Sequence, residues 1–473
     1  MLQHPAAQQH QRNDQRVSRD LLIHRDVRRG HVDSFSGIQL SIQAFIITND
    51  VLRNRPGRSL NSPAAVERIA CPDCGLMQLL PQPAPGQKAE CARCLKVLAG
   101  SATGRIGAPL ALAICALLLL VPSTIAPLLL VTTYGADREA WLPSTAEAMW
   151  NDGFASLGVL IAVFSIALPY VYLGLLIYVL ASLHWRTGAR VGSAFRWSKH
   201  LRPWVMIEVF LVGSFVSYSR IKAVSNVTVE VGGWALVAAG LVLLVAIVQL
   251  DERTVWETLG PQRRDPNREP AGDATVACII CDLIVDIENE GKPCPRCGAK
   301  LHVRKPASLE RTVAFVAAGY LLYIPANTLP VLTTVQFGRE EHNTILSGVI
   351  ELVHNDLVPL AVIVFLASIV LPLVKLFGLT WMLIATRIKS SRGLVSRTRL
   401  YRTIDAIGRW SNIDIFSVAM LVAVLQFGAL TAVHSGPGLV AFAAVVIITM
   451  LATAVFDSRL MWDAVAGTVA ERE

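Results

Sequence analysis

A small cysteine-rich module followed by a long apolar block occurs twice in this chain, and this duplication constrains the fold more than any other feature. Each module contains two Cys-x-x-Cys pairs. The cysteines are Cys71, Cys74, Cys91 and Cys94 in the first module and Cys278, Cys281, Cys294 and Cys297 in the second. Cys115 lies alone in an apolar run and is expected to be a small buried hydrophobe. The chain is therefore predicted to be one unit written twice.

The apolar blocks indicate a membrane protein. Of 473 residues, 53% are hydrophobic and 16% are charged, whereas a soluble protein carries roughly 25% charged residues. Apolar runs of about 20 residues, long enough to cross a bilayer core of ~30 Å, recur along the sequence. We predict eight transmembrane spans, at about residues 108–131, 154–183, 204–224, 232–250, 312–335, 357–385, 413–433 and 439–456.

The predicted fold is an all-α polytopic membrane protein with two tandem four-helix transmembrane domains, each preceded by a four-cysteine, zinc-ribbon-like module. Residues 1–62 are polar without a sustained period, so we expect a disordered extension there. The other predicted divisions are module 1 at 63–100, transmembrane domain 1 at 101–260, module 2 at 261–305, transmembrane domain 2 at 306–465 and a C-terminal tail at 466–473.

The cysteine spacing predicts metal binding. Four thiolates on two Cys-x-x-Cys turns can close a tetrahedral shell with metal–sulfur distances of ~2.3 Å. A module this short buries little apolar surface, so the ion would supply much of its stability. Zinc, with two ions per chain, is the favoured metal, and iron is the alternative. A redox interpretation is also open, in which each pair is a thioredoxin-like couple, but two pairs in each module favour shared metal.

Basic loops predict the orientation in the membrane. The two loops that lead into the third and seventh spans contain Arg186, Arg190, Arg196, Lys199 and Arg202, and Arg387, Lys389, Arg392, Arg397, Arg399, Arg402 and Arg409. The positive-inside rule places such loops in the cytoplasm. An even number of spans then places both termini and both cysteine modules there, in a reducing compartment. Orientation also accounts for the net charge of +8, so we do not expect nucleic-acid binding.

Matching prolines mark the first span of each unit. Pro122 and Pro127 recur as Pro325 and Pro330. Proline inside a membrane helix frees a carbonyl that a neighbour must satisfy. Helix breaks at equivalent sites in two halves are typical of a transport cavity, although a kink that only improves packing would leave the same pattern. With four spans per unit, the two halves are expected to be related by an axis along the membrane normal.

One cation stands out among the predicted spans. Lys375 lies about midway along the sixth span, where the first unit has Tyr172. An ammonium in hydrocarbon needs a counter-ion, and we expect Asp414 in the next span to provide it. The predicted transport-cavity residues are Ser368, Lys375, Asp414, Thr449 and Glu208. For Asp414 and its first-unit counterpart Glu208, a position at the membrane surface is the alternative.

Together, the duplicated four-cysteine module, four spans per unit, the Pro-x4-Pro pair and the Trp-x3-acid-x-Phe sequences at Trp204 and Trp410 resemble the paraquat-inducible protein A family over about residues 65–465. The resemblance implies an inner-membrane protein of Gram-negative bacteria. It also implies a periplasmic MCE-domain partner, a tunnel-forming protein, with which lipids move between the inner and outer membranes. The family's two zinc-ribbon-like domains match the eight cysteines named above.

The first functional hypothesis is therefore a non-enzymatic component of an intermembrane lipid transport system, which passes phospholipid between the inner membrane and a periplasmic tunnel. No Gly-x4-Gly-Lys-Ser/Thr nucleotide-binding motif occurs in the sequence. Two alternatives belong to other classes. One is a membrane thiol oxidoreductase that uses the Cys-x-x-Cys pairs, and the other is a metal-sensing structural anchor for a partner.

Overall fold

Two halves of similar design follow one another along the chain. The structure, a computed structural model, describes residues 67–80, 87–100, 106–133, 135–185, 190–222, 225–259, 275–336, 339–426 and 431–470. The extension predicted at residues 1–62 lies outside these ranges. The described part is mostly helical, which confirms the predicted fold class.

The first half begins with the two β-hairpins that hold the first four cysteines. Its elements are β1 (Glu67–Ala70), β2 (Met77–Leu80), β3 (Lys88–Glu90), β4 (Val97–Gly100), α1 (Gly107–Ile125), β5 (Leu129–Thr133), β6 (Ala136–Ala140), α2 (Leu142–Asn151), α3 (Ala155–Trp185), α4 (Val191–Leu201), α5 (Ile207–Lys222), β7 (Asn226–Val229), α6 (Val231–Gln249) and α7 (Glu252–Leu259).

The second half repeats this order with one hairpin in its cysteine module. Its elements are β8 (Thr275–Ala277), β9 (Ile284–Asp286), α8 (Ser308–Thr328), β10 (Leu332–Gln336), β11 (Arg339–Asn343), α9 (Ile345–His354), α10 (Val358–Arg387), α11 (Leu394–Ile407), α12 (Ile413–Val424), β12 (Thr431–Ser435), α13 (Pro437–Val455) and α14 (Leu460–Ala470).

Seven of the described helical segments are long and apolar enough to cross a membrane. They are α1, α3, α4 with α5, α6, α10, α11 with α12, and α13. The fifth span, predicted at 312–335, overlaps α8 but ends too late, since the helix ends at Thr328 and β10 follows. Helix α8 has the required length but is not among the seven. Its sequence is more polar than that of α1, since it contains Glu310, Arg311, Tyr320, Tyr323 and Asn327. Helix α8 nevertheless packs along α13 just as α1 packs along α6, so it occupies the place of the eighth span.

Two three-stranded antiparallel sheets were not expected from the sequence. Their strand orders are β6-β5-β7 and β11-β10-β12. The central strands β5 and β10 begin two residues after Pro127 and Pro330. The third strands, β7 and β12, lie in short segments for which the sequence predicts only a tight turn. Strands β5 and β7 are rich in Val and Thr, which favour the extended backbone. The sheets join the first and last spans of each half at one end.

The third span of each half is broken. Helices α4 and α5 are separated by a 3₁₀ turn at Arg202–Trp204, and α11 and α12 by a 3₁₀ turn at Gly408–Asn412. The Asn412 amide lies 3.7 Å from the sulfur of Met450, so the second break packs against the apolar helix α13. The predicted third and seventh spans thus begin at these breaks. The preceding basic segments form α4 and α11, not loops.

The halves meet along α5 and α12. The rings of Phe210 and Phe416, which occupy equivalent positions in the two halves, have centroids 5.4 Å apart. The Ser217 hydroxyl donates to the Ser417 carbonyl at 2.7 Å. A Cβ on Gly213 would lie 2.9 Å from the Ile413 carbonyl oxygen, closer than such contacts allow. Small residues at this crossing let the two backbones approach, as is common between membrane helices.

Replacing Gly213 by Leu is expected to destabilise the protein by about 2 kcal/mol, because the new side chain would force α5 away from α12. Thermal unfolding in detergent would measure the change. Gly174→Leu is the matched control, since a Cβ at Gly174 meets nothing within 4 Å. Equal stability of the two variants would show that the crossing tolerates separation.

A buried ion pair joins the end of α13 to the start of α14. Arg459 donates two hydrogen bonds to the Asp457 carboxylate, at 2.9 and 2.8 Å, and the side chains are only 9% and 3% exposed. The Lys305 backbone N–H donates to the same carboxylate at 3.0 Å. Burial alone would raise the pKa of Asp457, but the guanidinium and the N–H donors hold that pKa below its usual range.

Asp457→Asn is expected to cost about 3 kcal/mol of unfolding free energy, because Arg459 would stay buried without its counter-charge. The wild-type stabilisation should be complete above the usual aspartate pKa of about 3.9 and disappear as the pH falls through the lower folded pKa. Unfolding at several pH values measures both effects. Asp463→Asn removes a more exposed pair with Arg304 and should cost less than about 1 kcal/mol; the same loss in both variants would contradict the assignment.

Candidate functional site

Each cysteine module brings four sulfur atoms together. In both groups the sulfur atoms all lie within 4.8 Å of one another, and the side chains are between 0 and 3% exposed. Pairs from opposite turns are 3.5 to 3.6 Å apart. A tetrahedral ion with metal–sulfur distances of ~2.3 Å needs sulfurs about 3.8 Å apart, so the residues fit a metal ion with little adjustment. All four ligand positions are taken by protein, as in structural sites.

The backbone turns that present the cysteines are alike. The residue after the second cysteine of each pair has a positive φ: 74° at Gly75, 59° at Leu95, 56° at Asp282 and 68° at Gly298. Two of these four residues are not glycine, so the turn is maintained against local strain. Closure of the turn by a bond such as Cys71 N–H to the Leu76 carbonyl, at 2.9 Å, offsets part of that cost.

Each cluster contains a thiol that ionises readily. A hydrogen bond from the Cys74 thiol lowers the pKa of Cys71 to about 5, and a hydrogen bond from Cys281 lowers the pKa of Cys278 to about 7. Thiolates are the form that binds metal.

Cys115 is exposed on α1 and belongs to neither cluster, so the expectation that it is buried was wrong.

The first cysteine module docks on the second half. Arg402 of α11 donates from Nε to Asp73 at 2.5 Å and from Nη2 to the Cys94 sulfur at 3.0 Å. The Ser458 hydroxyl donates to the Asp73 carbonyl at 2.9 Å, and the Arg93 guanidinium lies 4.5 Å from the centre of the Trp462 ring. A module that precedes the first half along the chain is therefore held by helices of the second.

The second cysteine module docks on the first half in the same way. The Lys199 ammonium donates to the Ile280 carbonyl at 2.9 Å, and Gly192 approaches the Arg296 carbonyl so closely that a Cβ would lie 2.3 Å from it. Lys199 also pairs with Glu252 at 2.9 Å. The docking of the two modules is thus crossed, and together they tie the halves to each other.

Loss of one cysteine cluster should remove one metal ion. We expect about two ions per purified wild-type chain, and about one in either Cys71→Ser or Cys278→Ser, because a four-thiolate shell holds a single ion. Elemental analysis of detergent-purified protein measures the ratio. Cys115→Ser is the control and should retain both ions. A wild-type chain without metal whose eight clustered thiols react freely would favour the redox interpretation.

Lys375, on α10, contacts the break between α11 and α12 in the seventh span. Its ammonium donates to the Gly408 carbonyl at 2.6 Å and to the Thr449 hydroxyl at 3.5 Å, and the residue is 1% exposed. Gly408 directly follows the last residue of α11, so the cation lies at the negative end of that helix. No carboxylate of the described residues pairs with Lys375. The prediction that Asp414 is the counter-ion of Lys375 was therefore wrong, because the negative end of α11 takes that role.

Asp414 lies on the other side of the same break. It is in the first turn of α12, where the positive end of the helix favours a carboxylate, and it is 5% exposed. Ser368 lies beside it, fully buried, with a hydroxyl that makes no hydrogen bond of good geometry. The structure thus brings Ser368, Lys375, Asp414 and Thr449 to one region around the break.

Glu208 does not join this region. It lies in the first turn of α5, near Tyr172, and one of its carboxylate oxygens is buried without a partner. The first half therefore has a carboxylate at its broken helix but a phenol where the second half has a lysine. The two breaks are alike in backbone and unlike in charge.

The prolines take a different role from the one predicted. Pro122 and Pro325 lie in the last turn of α1 and α8, and each carbonyl accepts a hydrogen bond at the helix end. Pro127 and Pro330 lie beyond those ends. These residues terminate helices before β5 and β10, and the mid-span breaks are elsewhere.

Two further prolines shape the helices that face the breaks. Pro169 and Pro372 are the second residues after π-helical segments at Val163–Ala167 and Leu366–Val370. A proline cannot donate to the carbonyl four residues earlier, which for Pro372 is that of Ser368, so the turn widens. The repetition of Pro169 as Pro372 was the only sequence signal for this feature.

Taken together, the fold and these sites define a multi-pass helical membrane protein with two four-cysteine modules able to hold metal ions. The family model for paraquat-inducible protein A matches this chain twice, over residues 106–260 and 309–466, which confirms the duplication. The chain belongs to the paraquat-inducible protein A family.

Named relatives match along most of the chain. Intermembrane transport protein PqiA of Escherichia coli K12 is 31% identical over 408 residues, covering 84% of this chain and 96% of the relative. Lipophilic envelope-spanning tunnel protein A of the same strain is 29% identical over 397 residues, covering 83% and 91%. A probable intermembrane transport protein of Haemophilus influenzae is 25% identical over 411 residues, covering 86% and 98%. No solved structure matches the chain significantly.

Proposed function

We propose that this chain is the inner-membrane component of an intermembrane lipid transport system and that phospholipid passes through its second half. The observation that carries the proposal is the broken span between α11 and α12, where Lys375 and Asp414 lie at opposite helix ends and are only 1% and 5% exposed. The names of its relatives, which describe intermembrane transport, support the same role.

A broken helix suits lipid handling for a physical reason. Unpaired backbone groups and charges are costly in hydrocarbon unless they face a partner or a polar cavity. Here the Gly408 carbonyl and the Lys375 ammonium satisfy each other at 2.6 Å. A headgroup phosphate that replaced the carbonyl as partner of Lys375 would gain a charge-assisted contact. The pair can therefore open for a headgroup and close behind it.

Orientation and partner complete the proposal. The basic helices α4 and α11 and both cysteine modules lie together and are assigned to the cytoplasm by the positive-inside rule. The two three-stranded sheets would then face the periplasm, where a tunnel-forming MCE-domain protein would bind. The metal would be zinc, two ions per chain, with iron as the alternative. The chain would act as a transporter without catalysis.

The competing functions make different demands on the cysteines. A thiol oxidoreductase needs accessible sulfur, whereas these side chains are at most 3% exposed in closed groups of four. A metal-sensing anchor needs the modules alone, and the crossed docking supports a structural contribution of this kind. The anchor hypothesis gives no reason for a buried lysine at a broken helix.

Lys375→Met is expected to reduce lipid transfer at least about tenfold, because the group that would exchange between carbonyl and phosphate is lost. The assay uses proteoliposomes that contain the chain with its co-purified periplasmic partner and measures movement of headgroup-labelled phospholipid to acceptor vesicles. The unfolding free energy should fall by about 1–3 kcal/mol, since the buried Gly408 carbonyl loses its partner, so transfer is compared at a temperature at which both proteins remain folded.

Tyr172→Phe is the matched control, because Tyr172 occupies the equivalent position in the first half and should leave transfer unchanged. Unaltered transfer by Lys375→Met, with loss of partner binding when the cysteine modules are disrupted, would replace the transport proposal with the anchor.

A further inference from the structure

One arginine of the second half contacts both cysteine turns of the first module. Asp73 lies between Cys71 and Cys74 on one turn, and Cys94 ends the pair on the other. Arg402 of α11 donates from Nε to the Asp73 carboxylate at 2.5 Å and from Nη2 to the Cys94 sulfur at 3.0 Å. The same Nη2 donates to the Cys94 carbonyl at 3.1 Å. The guanidinium therefore joins the two turns to each other and to α11.

The second module is held without a comparable contact to sulfur. Lys199 on α4 and Arg402 on α11 occupy matching positions. Each follows, at the same spacing, a left-handed N-cap residue, Arg190 in the first half and Gly393 in the second. The Lys199 ammonium donates to the Ile280 carbonyl at 2.9 Å. Among the residues that the structure describes, no cation donates to a sulfur of the second cluster, so this contact distinguishes the first module from the second.

A donor to a ligand sulfur is sensitive to the metal. Four thiolates around a divalent ion leave the cluster with a net negative charge. A guanidinium that donates to such a sulfur makes a charge-assisted hydrogen bond, which is stronger than a bond to a neutral thiol. Metal in the first module and the contact from Arg402 therefore stabilise each other, since coupling between two binding events is reciprocal.

Helix α11 connects this contact to the broken span. Ile404, close to Arg402 on the helix, packs on Gly378 of α10, where a Cβ would lie 2.5 Å from the Ile404 Cδ1. Gly378 follows Lys375 by about one turn. The Gly408 carbonyl, directly after the last residue of α11, accepts from Lys375 at 2.6 Å. Because the helices are in such close contact, a displacement of α11 would change the Lys375 contact.

We propose that Arg402 couples metal occupancy of the first module to the position of α11, and through this helix to the Lys375–Gly408 contact at the break. The inference rests on the proposed function, since that contact is the proposed site of phospholipid passage, and it names a regulation of that site. Arg402 is a positioning residue. With metal in the first module α11 stays docked, and loss of the metal releases α11 from the module.

Metal release tests the coupling at the cluster. The Cys278→Ser chain is loaded with zinc in detergent, and an excess of pyridylazoresorcinol, which changes colour on binding zinc, times the release of the ion from the first module. Arg402→Gln in this background should release zinc about tenfold faster, because loss of an outer-shell partner costs about 10- to 100-fold in metal affinity. Arg402→Lys should do the same, since one ammonium cannot make both contacts of the guanidinium. Release from Arg402→Lys at the parent rate would overturn the role of the sulfur contact.

Two matched variants separate this contact from a general loss of stability. Arg399→Gln removes an exposed cation from the same helix and should leave zinc release unchanged. In the Cys71→Ser chain, whose remaining ion is expected in the second module, Arg402→Gln should also leave release unchanged. Faster release in either case would contradict the inference.

Hydrogen exchange tests the coupling at the helix. In the Cys278→Ser chain, removal of zinc should make the amides of α11 and of residues 408–412 exchange about tenfold faster, because the contact that holds the helix weakens. With Arg402→Gln added, exchange of α11 should be equally fast with and without zinc. Helix α6 is the reference and should exchange alike throughout. Unchanged exchange of α11 on zinc removal from the parent chain would overturn the proposal.

The outcomes also distinguish this proposal from the transport function. If Arg402→Gln keeps zinc and α11 exchanges as in the parent, while Lys375→Met still reduces lipid transfer, the coupling fails and the transport function stands. If Lys375→Met transfers lipid as wild type does, the transport function fails, and exchange of α11 still decides whether metal holds the helix. Arg402→Lys keeps a cation beside Asp73, so it decides the matter even if Arg402→Gln does not fold.

Discussion

The second half of the structure depends on how the buried ammonium of Lys375 is accommodated away from water. A helix that stops inside hydrocarbon leaves carbonyls without partners, and a buried ammonium needs several acceptors. The Lys375 ammonium donates to the Gly408 carbonyl at the end of α11, at 2.6 Å, and to the Thr449 hydroxyl, at 3.5 Å. Because each group is satisfied by the other, neither can be removed or displaced without a substitute. In the proposed function this mutual dependence gives the second half a site for a charged headgroup, whereas the first half has Tyr172 at the equivalent position.

The cysteine modules and the broken spans are physically connected. Arg402 binds both Asp73 and the Cys94 sulfur, and it belongs to α11, whose end is held by Lys375. A donor to a ligand sulfur is the kind of contact that orients a metal site and adjusts its affinity. The cysteine modules thus brace α4 and α11, the helices that lead to the two breaks.

Sequence reasoning predicted what local pattern controls. Cysteine spacing gave both clusters, apolar runs placed the helices, and recurring prolines revealed the duplication. It failed where the role of a side chain depends on a contact with a residue distant in the sequence. The acceptor of Lys375 is a backbone carbonyl, which leaves no side-chain signal in the sequence. The basic segments were assigned to loops, because their docking on the cysteine modules cannot be inferred from charge.

Crossed docking has a consequence for biogenesis. Asp73 and Arg402 are 329 residues apart, so the ribosome has completed the first membrane half before the first module's docking helix emerges. During that interval the first module lacks its docking helix α11, and α4 lacks the second module. Neither half completes its contacts alone, since Trp462 on the last described helix contacts Arg93 of the first module.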